Sequence, residues 1–196
     1  MLTLPVLCPK SMAQNFLRQH QDWIDAHQYA PEDLVFTDGM IISVLGQSVQ
    51  ICHKPSQKGT GIENDKLYVA GDKAFLNRRV TDFIKRQTGA YIDKRARELA
   101  SQIGQKIHRI TLKDTTSRWG SCSAAGNLNF CWRLGLAPLF VLDYIIAHEV
   151  AHLQEMNHSL HFWRVVAMLC DRRSEAEIWL RRNGQSLRYP EKSSIK

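Results

Sequence analysis

The sequence predicts a single α+β domain in which a small antiparallel sheet packs on helices. Short β-prone runs lie at residues 41–45, 49–53 and 67–69, and another lies at 107–112. Long segments with apolar residues at helical spacing occupy 72–104 and 138–155. With 196 residues, of which 44% are hydrophobic, the chain can bury one sizeable core. We therefore expect one domain over residues 1–190, with a polar tail at 188–196.

The first part of that domain, residues 1–70, is predicted to hold a helix and a β-meander. A strand is expected at 2–7 and a helix at 11–27, where aromatic and aliphatic residues recur at helical spacing. His20 and His27 share that helical face, and we interpret them as packing or surface groups. The glycine-containing segment 54–65 is polar and reads as a loop between antiparallel strands.

Composition excludes several classes of protein. The five cysteines include no C-x-x-C pair, which argues against both a disulfide framework and a thiolate zinc site. A reducing cytoplasm is the expected location. Pro5 interrupts the N-terminal apolar run, which has no basic residue ahead of it, and no stretch approaches the roughly 18 apolar residues of a membrane span. We expect no membrane partner, and the sequence leaves the oligomeric state open.

Segment 72–104 is predicted to be a long helix, with a possible break at Gly89. Between residues 77 and 113 there are ten Lys or Arg and three Asp or Glu, and ten minus three equals the net charge of +7 for the whole chain. Basic residues 78–113 could bind nucleic acid phosphates or an acidic partner. The commoner interpretation of such a charge pattern is a solvated helix face.

Segment 107–187 is predicted to begin with a strand and a hairpin whose turn lies at 124–127. We interpret Trp119, Cys122 and Trp132 in this hairpin as packing residues. A helix follows from Pro138 to about residue 155, a further apolar helical stripe follows residue 159, and Ser174 with Glu177 reads as a capping box.

The helix at 138–155 carries a metal-binding pattern. His148 and His152 lie four residues apart, so both rings project from one face of the helix about one turn apart. This spacing suits one metal ion, because zinc takes imidazole nitrogens in a tetrahedral shell. Glu149 lies beside the metal, where it can take a proton from an activated water. The pattern is the H-E-x-x-H motif of zinc hydrolases, and its apolar surroundings predict a buried helix.

A catalytic zinc site needs a third protein ligand and keeps one position open for water. His158 and His161 are both candidates. Asn157 tolerates a left-handed turn, which would fold His158 back towards the metal, whereas His161 would lie a turn further on. The turn argument favours His158 and leaves His161 open.

The segment HEVAHLQEMNHSLHFW, preceded by SRWGSCS and WRLGLAP, resembles the YgjP-like metallopeptidases, relatives of the SprT-like and WLM zinc peptidases. The resemblance covers about residues 2–187 and implies a zincin-like fold. It also implies one Zn²⁺ per chain held by His148, His152 and His158, with Glu149 as the catalytic acid/base. Members of the family usually begin with a longer β-hairpin, so we expect either that one strand is dispensable or that the natural start lies upstream.

The resemblance further implies hydrolysis of peptide bonds in a peptide or protein substrate. In zinc peptidases an exposed strand edge near the metal helix aligns the extended substrate, which places substrate contact at the hairpin. Arg118, Asn129 and Arg133 are the candidates for gripping a peptide carbonyl or stabilising the oxyanion. The alternative is that the two arginines only cover the sheet.

Two other functions are compatible with the sequence. One is a DNA-associated protease, since some SprT-like and WLM peptidases process DNA-protein crosslinks and residues 77–113 are basic. The other is a non-catalytic, metal-dependent binding protein with a structural zinc. A closed shell of four ligands, completed by His161 or Cys122, would indicate that second alternative.

Overall fold

The structure is a computed structural model that describes residues 9–19, 34–115 and 117–188. The chain forms two compact units, Met1–Asp33 and Leu34–Lys196. In the first unit, helix α1 spans Lys10–Gln19 and accounts for much of the helix predicted at 11–27. The strand predicted at 2–7, together with His20 and His27, lies outside the described residues.

The first sheet of the second unit has four strands in the order β1-β2-β4-β3: β1 (Ile41–Val44), β2 (Gln47–His53), β3 (Gly61–Glu63) and β4 (Lys66–Val69). Two tight hairpins build it, β1-β2 and β3-β4. Their turns contain left-handed residues, Leu45 and Gly46 in the first and Asn64 and Asp65 in the second. Two-residue hairpin turns require this backbone conformation.

The antiparallel part of the sheet prediction is wrong, because β2 and β4 pair in parallel. The segment 54–65, expected to be a loop, contains β3 and brings the chain back to enter β4 in the direction of β2. Parallel pairing places Ile51 opposite Leu67, and both side chains are fully buried. They share a core cluster with Val80 and Ile84 of the long helix that follows, so burial of one apolar face decides the pairing.

Helix α2 spans Leu76–Gln102 and is continuous through Gly89. Its N-terminal half packs on the first sheet, and its C-terminal half belongs to a second core cluster. Gly89 serves close packing, since a Cβ there would lie 3.2 Å from Cδ1 of Leu112. The helix therefore joins the two halves of the second unit.

The second sheet has three strands in the order β5-β7-β6: β5 (Arg109–Lys113), β6 (Gly120–Cys122) and β7 (Asn127–Cys131). Strands β6 and β7 form the predicted antiparallel hairpin, whereas β5 pairs with β7 in parallel. Strand β6 is thus an edge strand, and it contacts helix α3 (Leu139–Ala151). The predicted α+β class is confirmed, with two mixed sheets in place of an antiparallel one.

Helix α3 lies at the centre of the second core, where it contacts α2, α4 (Leu160–Leu169) and α5 (Arg173–Arg188) as well as β6. Its sequence, LFVLDYIIAHEVA, is apolar on nearly every side. Such a helix is stable only where other elements enclose it. None of the described helices is both long and apolar enough to cross a membrane.

Candidate metal centre

The two histidines of the H-E-x-x-H motif lie at the C-terminal end of α3. His148 and Glu149 are in the last turn, and His152 is the C-cap residue. The helix ends at Ala151, one turn earlier than predicted, because the amides of Leu153 and Gln154 bond to carbonyls three positions back. The centroids of the two imidazole rings are 5.0 Å apart.

The segment after α3 returns His158 to the other two histidines. The centroid of its ring lies 5.1 Å from that of His148 and 4.8 Å from that of His152. The expectation of a left-handed Asn157 is wrong, because its φ is not positive. The amide of Ser159 instead donates to the carbonyl of Asn157, at 2.8 Å, and closes the turn.

Ser159 then fixes where α4 begins. Its hydroxyl accepts a hydrogen bond from the amide of Phe162, as an N-cap side chain does. Phe162 is fully buried, and its ring centroid lies within 5.0 Å of those of all three histidines. The phenyl ring therefore forms an apolar support that limits how far the three imidazoles can turn.

Among the described residues, His148, His152 and His158 form the group that can hold a metal ion, with all potential ligand atoms within 4.8 Å of one another. His161 is exposed and outside this group. Cys122 is also outside it, and its thiol lies 3.4 Å from the Ser123 carbonyl, to which it donates. Neither candidate for a fourth ligand is brought to the three histidines.

The donor set fits a tetrahedral metal ion. With bonds of 2.0 to 2.1 Å, neighbouring nitrogens of such a shell are about 3.3 Å apart, and Nε2 of His148 lies 3.1 Å from Nε2 of His158. Nδ1 of His152 donates to the Glu155 carbonyl at 3.0 Å, which leaves its Nε2 lone pair for the metal. Nδ1 of His148 is buried and has no hydrogen-bond partner within the described part of the chain.

The carboxylate of Glu149 lies directly against the edge strand β6. The side chain is only 6% exposed. A Cβ placed on Gly120, the first residue of β6, would come within 2.5 Å of Glu149 Oε1. Only a glycine permits this approach of strand and carboxylate, because no larger residue fits at such a distance.

Two cavities meet at Trp119 and Gly120, which line both. The helix cavity, about 410 Å³, is bounded by α3 and α5 and reaches His148, one of the three clustered histidines. Its other lining residues include Tyr144, Ile145, His148, Glu149, Glu177 and Leu180. The strand cavity, about 270 Å³, is lined by Lys113, Thr115, Ser117, Arg118, Ser121 and Asn129, among others.

A histidine triad beside a buried glutamate is the arrangement expected of a metallopeptidase, and the sequence comparison decides the family. Residues 1–183 match the model of the YgjP-like metallopeptidase domain. The chain belongs to the YgjP-like metallopeptidase family. Membership assigns this YgjP-like protein to the metal-dependent peptidases.

Among solved structures, the YgjP-like chain is similar to the crystal structure of the metallopeptidase zymogen of Pyrococcus abyssi abylysin. The TM-score is 0.43, with 20% sequence identity over 50% of this chain and 97% of that one. No curated protein sequence matches the chain.

The electrostatics of the YgjP-like site favour neutral imidazoles. Burial, followed by the neighbouring charges of His152 and His158, lowers the pKa of His148 to about 4. Burial also lowers the pKa of His152. Both rings are therefore neutral at pH 7, which is the state that metal ligation requires.

Glu149 is shifted in the opposite direction. Burial raises the pKa of its carboxyl group to about 7, although the positive charge of Arg118 opposes the shift. A cation held by the three histidines would lower this pKa again, since an opposite charge favours the carboxylate.

Two of the three residues predicted to contact substrate line the strand cavity. Arg118 and Asn129 line the strand cavity, where the Asn129 side-chain amide donates to the Ser121 hydroxyl at 3.2 Å. Arg133 is engaged elsewhere, because its guanidinium forms a 2.8 Å ion pair with Asp114 and lies over the Trp132 ring. We therefore interpret Arg133 as a structural residue and keep the other two as predictions.

The helix cavity also contains residues that the sequence did not assign to the site. The Tyr144 hydroxyl donates to Glu177 Oε1 at 2.9 Å, and Nε of Arg173 donates to the same oxygen at 2.8 Å. The predicted capping box is wrong, because α5 starts at Arg173 and Glu177 turns towards α3. Trp119, expected to be packing only, lines both cavities. The spacing of Tyr144, one turn before His148, was the one signal available.

The basic segment 78–113 is partly neutralised by its own surroundings. Arg78, Arg95 and Arg97 form ion pairs with carboxylates of α2. The ammonium of Lys85 lies over the Trp132 ring, 5.3 Å from its centroid. Nucleic acid binding stays a prediction. These ion pairs reduce the positive charge that is available to phosphates and so weaken the support for it.

A gel-shift experiment at graded salt tests the nucleic acid alternative. Binding through phosphate contacts must weaken steeply as salt rises, because the release of counterions from the DNA, which drives such binding, becomes less favourable at higher salt concentration. The local ion pairs lead us to expect no retarded band at physiological salt. A band whose affinity falls steeply with salt, and which is lost when the lysines and arginines of α2 are replaced by glutamine, would contradict that expectation.

Proposed function

We propose that the protein is a zinc-dependent peptidase with one Zn²⁺ per chain, held by His148, His152 and His158. The convergence of three imidazoles beside a buried glutamate supports this most directly. When bound, zinc would polarise the scissile carbonyl and lower the pKa of a coordinated water towards about 7. The remaining steps belong to groups of the chain itself.

Glu149 is the general acid/base of this proposal. It follows the ligand His148 in the chain but lies outside the ligand group, so its carboxylate stays available for proton transfer. It takes the proton of the attacking water and later delivers it to the leaving amine. Burial and the close approach of Gly120 limit the movement of the carboxylate, and a restricted group loses less entropy in reaching the transition state.

Strand β6 is the proposed guide for the substrate backbone. It pairs with β7 on one side and is the edge of its sheet among the described strands. An extended peptide adds to such an edge through main-chain hydrogen bonds. Because Gly120 belongs to β6 and touches Glu149, a peptide on this edge passes the general base.

The alternative of a structural zinc requires a closed shell of four protein ligands. His161 and Cys122 were the candidates for the fourth ligand, and both lie outside the group of potential ligands in the described structure. The three-histidine arrangement leaves a coordination position for water, which supports catalysis over a purely structural role.

Metal content of three purified proteins tests the proposed ligands. Wild type and His161→Ala should each retain one zinc per chain after dialysis against a mild chelator, whereas His158→Ala should lose it. The reason is that two imidazoles hold zinc far more weakly than three. His161→Ala is the matched control, since that ring is exposed and outside the triad. Zinc retained by His158→Ala, or lost from His161→Ala, would disprove this ligand set.

A further inference from the structure

The strand cavity carries two positive charges, and no carboxylate is among its lining residues. Lys113 and Arg118 are the charged residues that line it, and both are exposed. Neither has an ion-pair partner among the residues that the structure describes. The nearest acidic neighbour in sequence, Asp114, is already paired with Arg133. Arg118 acts on Glu149 through its charge, but two cations without an ion pair at the wall of one cavity still attract an anionic group.

Polar and apolar residues together line the rest of the strand cavity, and hydrogen bonds hold several of the polar ones in place. The Thr115 hydroxyl donates to the carbonyl of Arg118 at 2.7 Å and so holds the loop that carries the guanidinium. Ser121 and Asn129 are joined by a hydrogen bond across β6 and β7. The Ser121 hydroxyl hydrogen and the second amide hydrogen of Asn129 can donate beside the two cations, and a carboxylate accepts such hydrogen bonds at both of its oxygens.

The helix cavity differs from the strand cavity in charge, because residues of both signs line it: Glu149, Glu177 and Arg181. Glu177 already accepts hydrogen bonds from Tyr144 and Arg173. Trp119, Ile145 and Leu180 supply apolar surface there. The two cavities meet at Gly120, against which the Glu149 carboxylate lies. A peptide aligned on β6 therefore has side chains in chemically different surroundings along its length.

We propose that the strand cavity is a specificity site for a carboxylate side chain of the peptide substrate, held by Lys113 and Arg118. This inference rests on the proposed peptidase function. It makes acidic peptides, with Asp or Glu at one fixed position relative to the cleaved bond, the preferred substrate class. Lys113 and Arg118 are then specificity-determining residues, distinct from the groups that carry out the hydrolysis.

The first experiment measures cleavage preference in a peptide library made from a digested proteome. Mass spectrometry of the zinc-loaded protein's products should show Asp and Glu enriched at one position relative to the cleaved bond. In the Lys113→Gln/Arg118→Gln double variant the enrichment ratio of Asp and Glu should fall on the order of fivefold for each exposed charge removed. Arg109→Gln is the matched control, because it removes an exposed cation from the other end of β5.

The enrichment ratio is the informative quantity, since Arg118 also acts on Glu149 through its charge. A change in Glu149 alone would alter the cleavage of acidic and neutral peptides alike and would leave the ratio unchanged. The same enrichment in the double variant as in wild type would overturn the proposal, as would cleavage with no preference for acidic residues.

The second experiment does not depend on hydrolysis. The metal-free protein is titrated with N-acetyl-glutamate N′-methylamide and, as the uncharged control, with the corresponding glutamine compound. The NMR signals of the Trp119 indole and the Asn129 amide should shift with the glutamate compound only, and less at high salt. Equal responses to the two compounds, or no response to either, would overturn the proposal. Absence of peptide cleavage with a selective response would refute the peptidase function and leave the carboxylate site in place.

Discussion

Gly120→Ala is expected to remove most of the hydrolytic activity and to destabilise the metal-free protein by about 1 to 3 kcal/mol, the usual cost of overpacking. The new Cβ would lie 2.5, 2.6 and 2.7 Å from Oε1, Cγ and Cδ of Glu149. The carboxylate cannot easily move aside, because its side chain is only 6% exposed. Gly120 cannot easily move either, because β6 is hydrogen-bonded to β7.

A double-mutant cycle identifies the cause of this destabilisation. Glu149→Ala removes all three atoms that the new methyl group would meet, so Gly120→Ala should cost little in that background. Urea denaturation of wild type, both single variants and the double variant, all metal-free, gives the coupling free energy. An equal cost in the two backgrounds would show that Gly120 does not act through Glu149.

Gly61→Ala is the matched control for this cycle. Gly61 also lies in a short strand, at the start of β3, but a Cβ there meets nothing within 4 Å and its φ is not in the left-handed region. The substitution should change the free energy of unfolding by no more than about 0.5 kcal/mol, as is usual for surface positions.

Glu149→Gln is expected to lower kcat/KM about 10²- to 10⁴-fold, the usual contribution of a general acid/base. Glutamine has nearly the same shape but cannot accept and return the proton. Zinc content should stay at the wild-type level, because Glu149 is outside the ligand group. Steady-state kinetics on a cleaved peptide, with metal analysis of the same samples, measures both. Loss of zinc together with activity would mean that Glu149 acts on the metal site and not as a base.

The same substitution should change how stability depends on pH in the metal-free protein. Burial raises the pKa of Glu149 from 4.5 to about 7, so between these values the folded state binds more protons than the unfolded state. The free energy of unfolding contributed by this group therefore falls as pH rises through that interval. His148, with its pKa lowered from 6.5 to about 4, contributes in the opposite direction.

The difference between wild type and Glu149→Gln isolates the carboxyl contribution from that of the histidines. Relative to wild type, the variant should become more stable as pH rises from about 4.5 to 7, as followed by urea denaturation. A constant difference across that range would show that Glu149 has an ordinary pKa in the metal-free protein.

The features that the sequence determined by itself are local ones. The spacing of His148, Glu149 and His152 has a chemical meaning as soon as the segment is helical, and an apolar segment of that length folds as a buried helix. The helical periodicity of 72–104 predicted α2, although not its continuity through Gly89, and the turn at 124–127 predicted the β6-β7 hairpin. Each depends on neighbours within a few residues, which is the range that propensity and spacing describe.

The features that only the tertiary structure decided involve residues distant in sequence. Parallel pairing of β2 with β4 depends on which apolar faces meet α2, and sequence alternation is the same for either direction of pairing. Arg133 forms an ion pair with Asp114, whereas Arg118 forms none and lines the strand cavity. The local sequence of the two arginines does not predict this difference.

Local reasoning also could not decide between His158 and His161. It depended on a turn whose backbone conformation was predicted wrongly. The structure brings His158 to His148 and His152, and packing of the three rings around Phe162 accompanies this arrangement. The close approach of Gly120 to Glu149 likewise depends on tertiary packing, because it is set by how β6 lies on α3. The sequence thus determined which groups can do the chemistry, and long-range packing decided which of them meet.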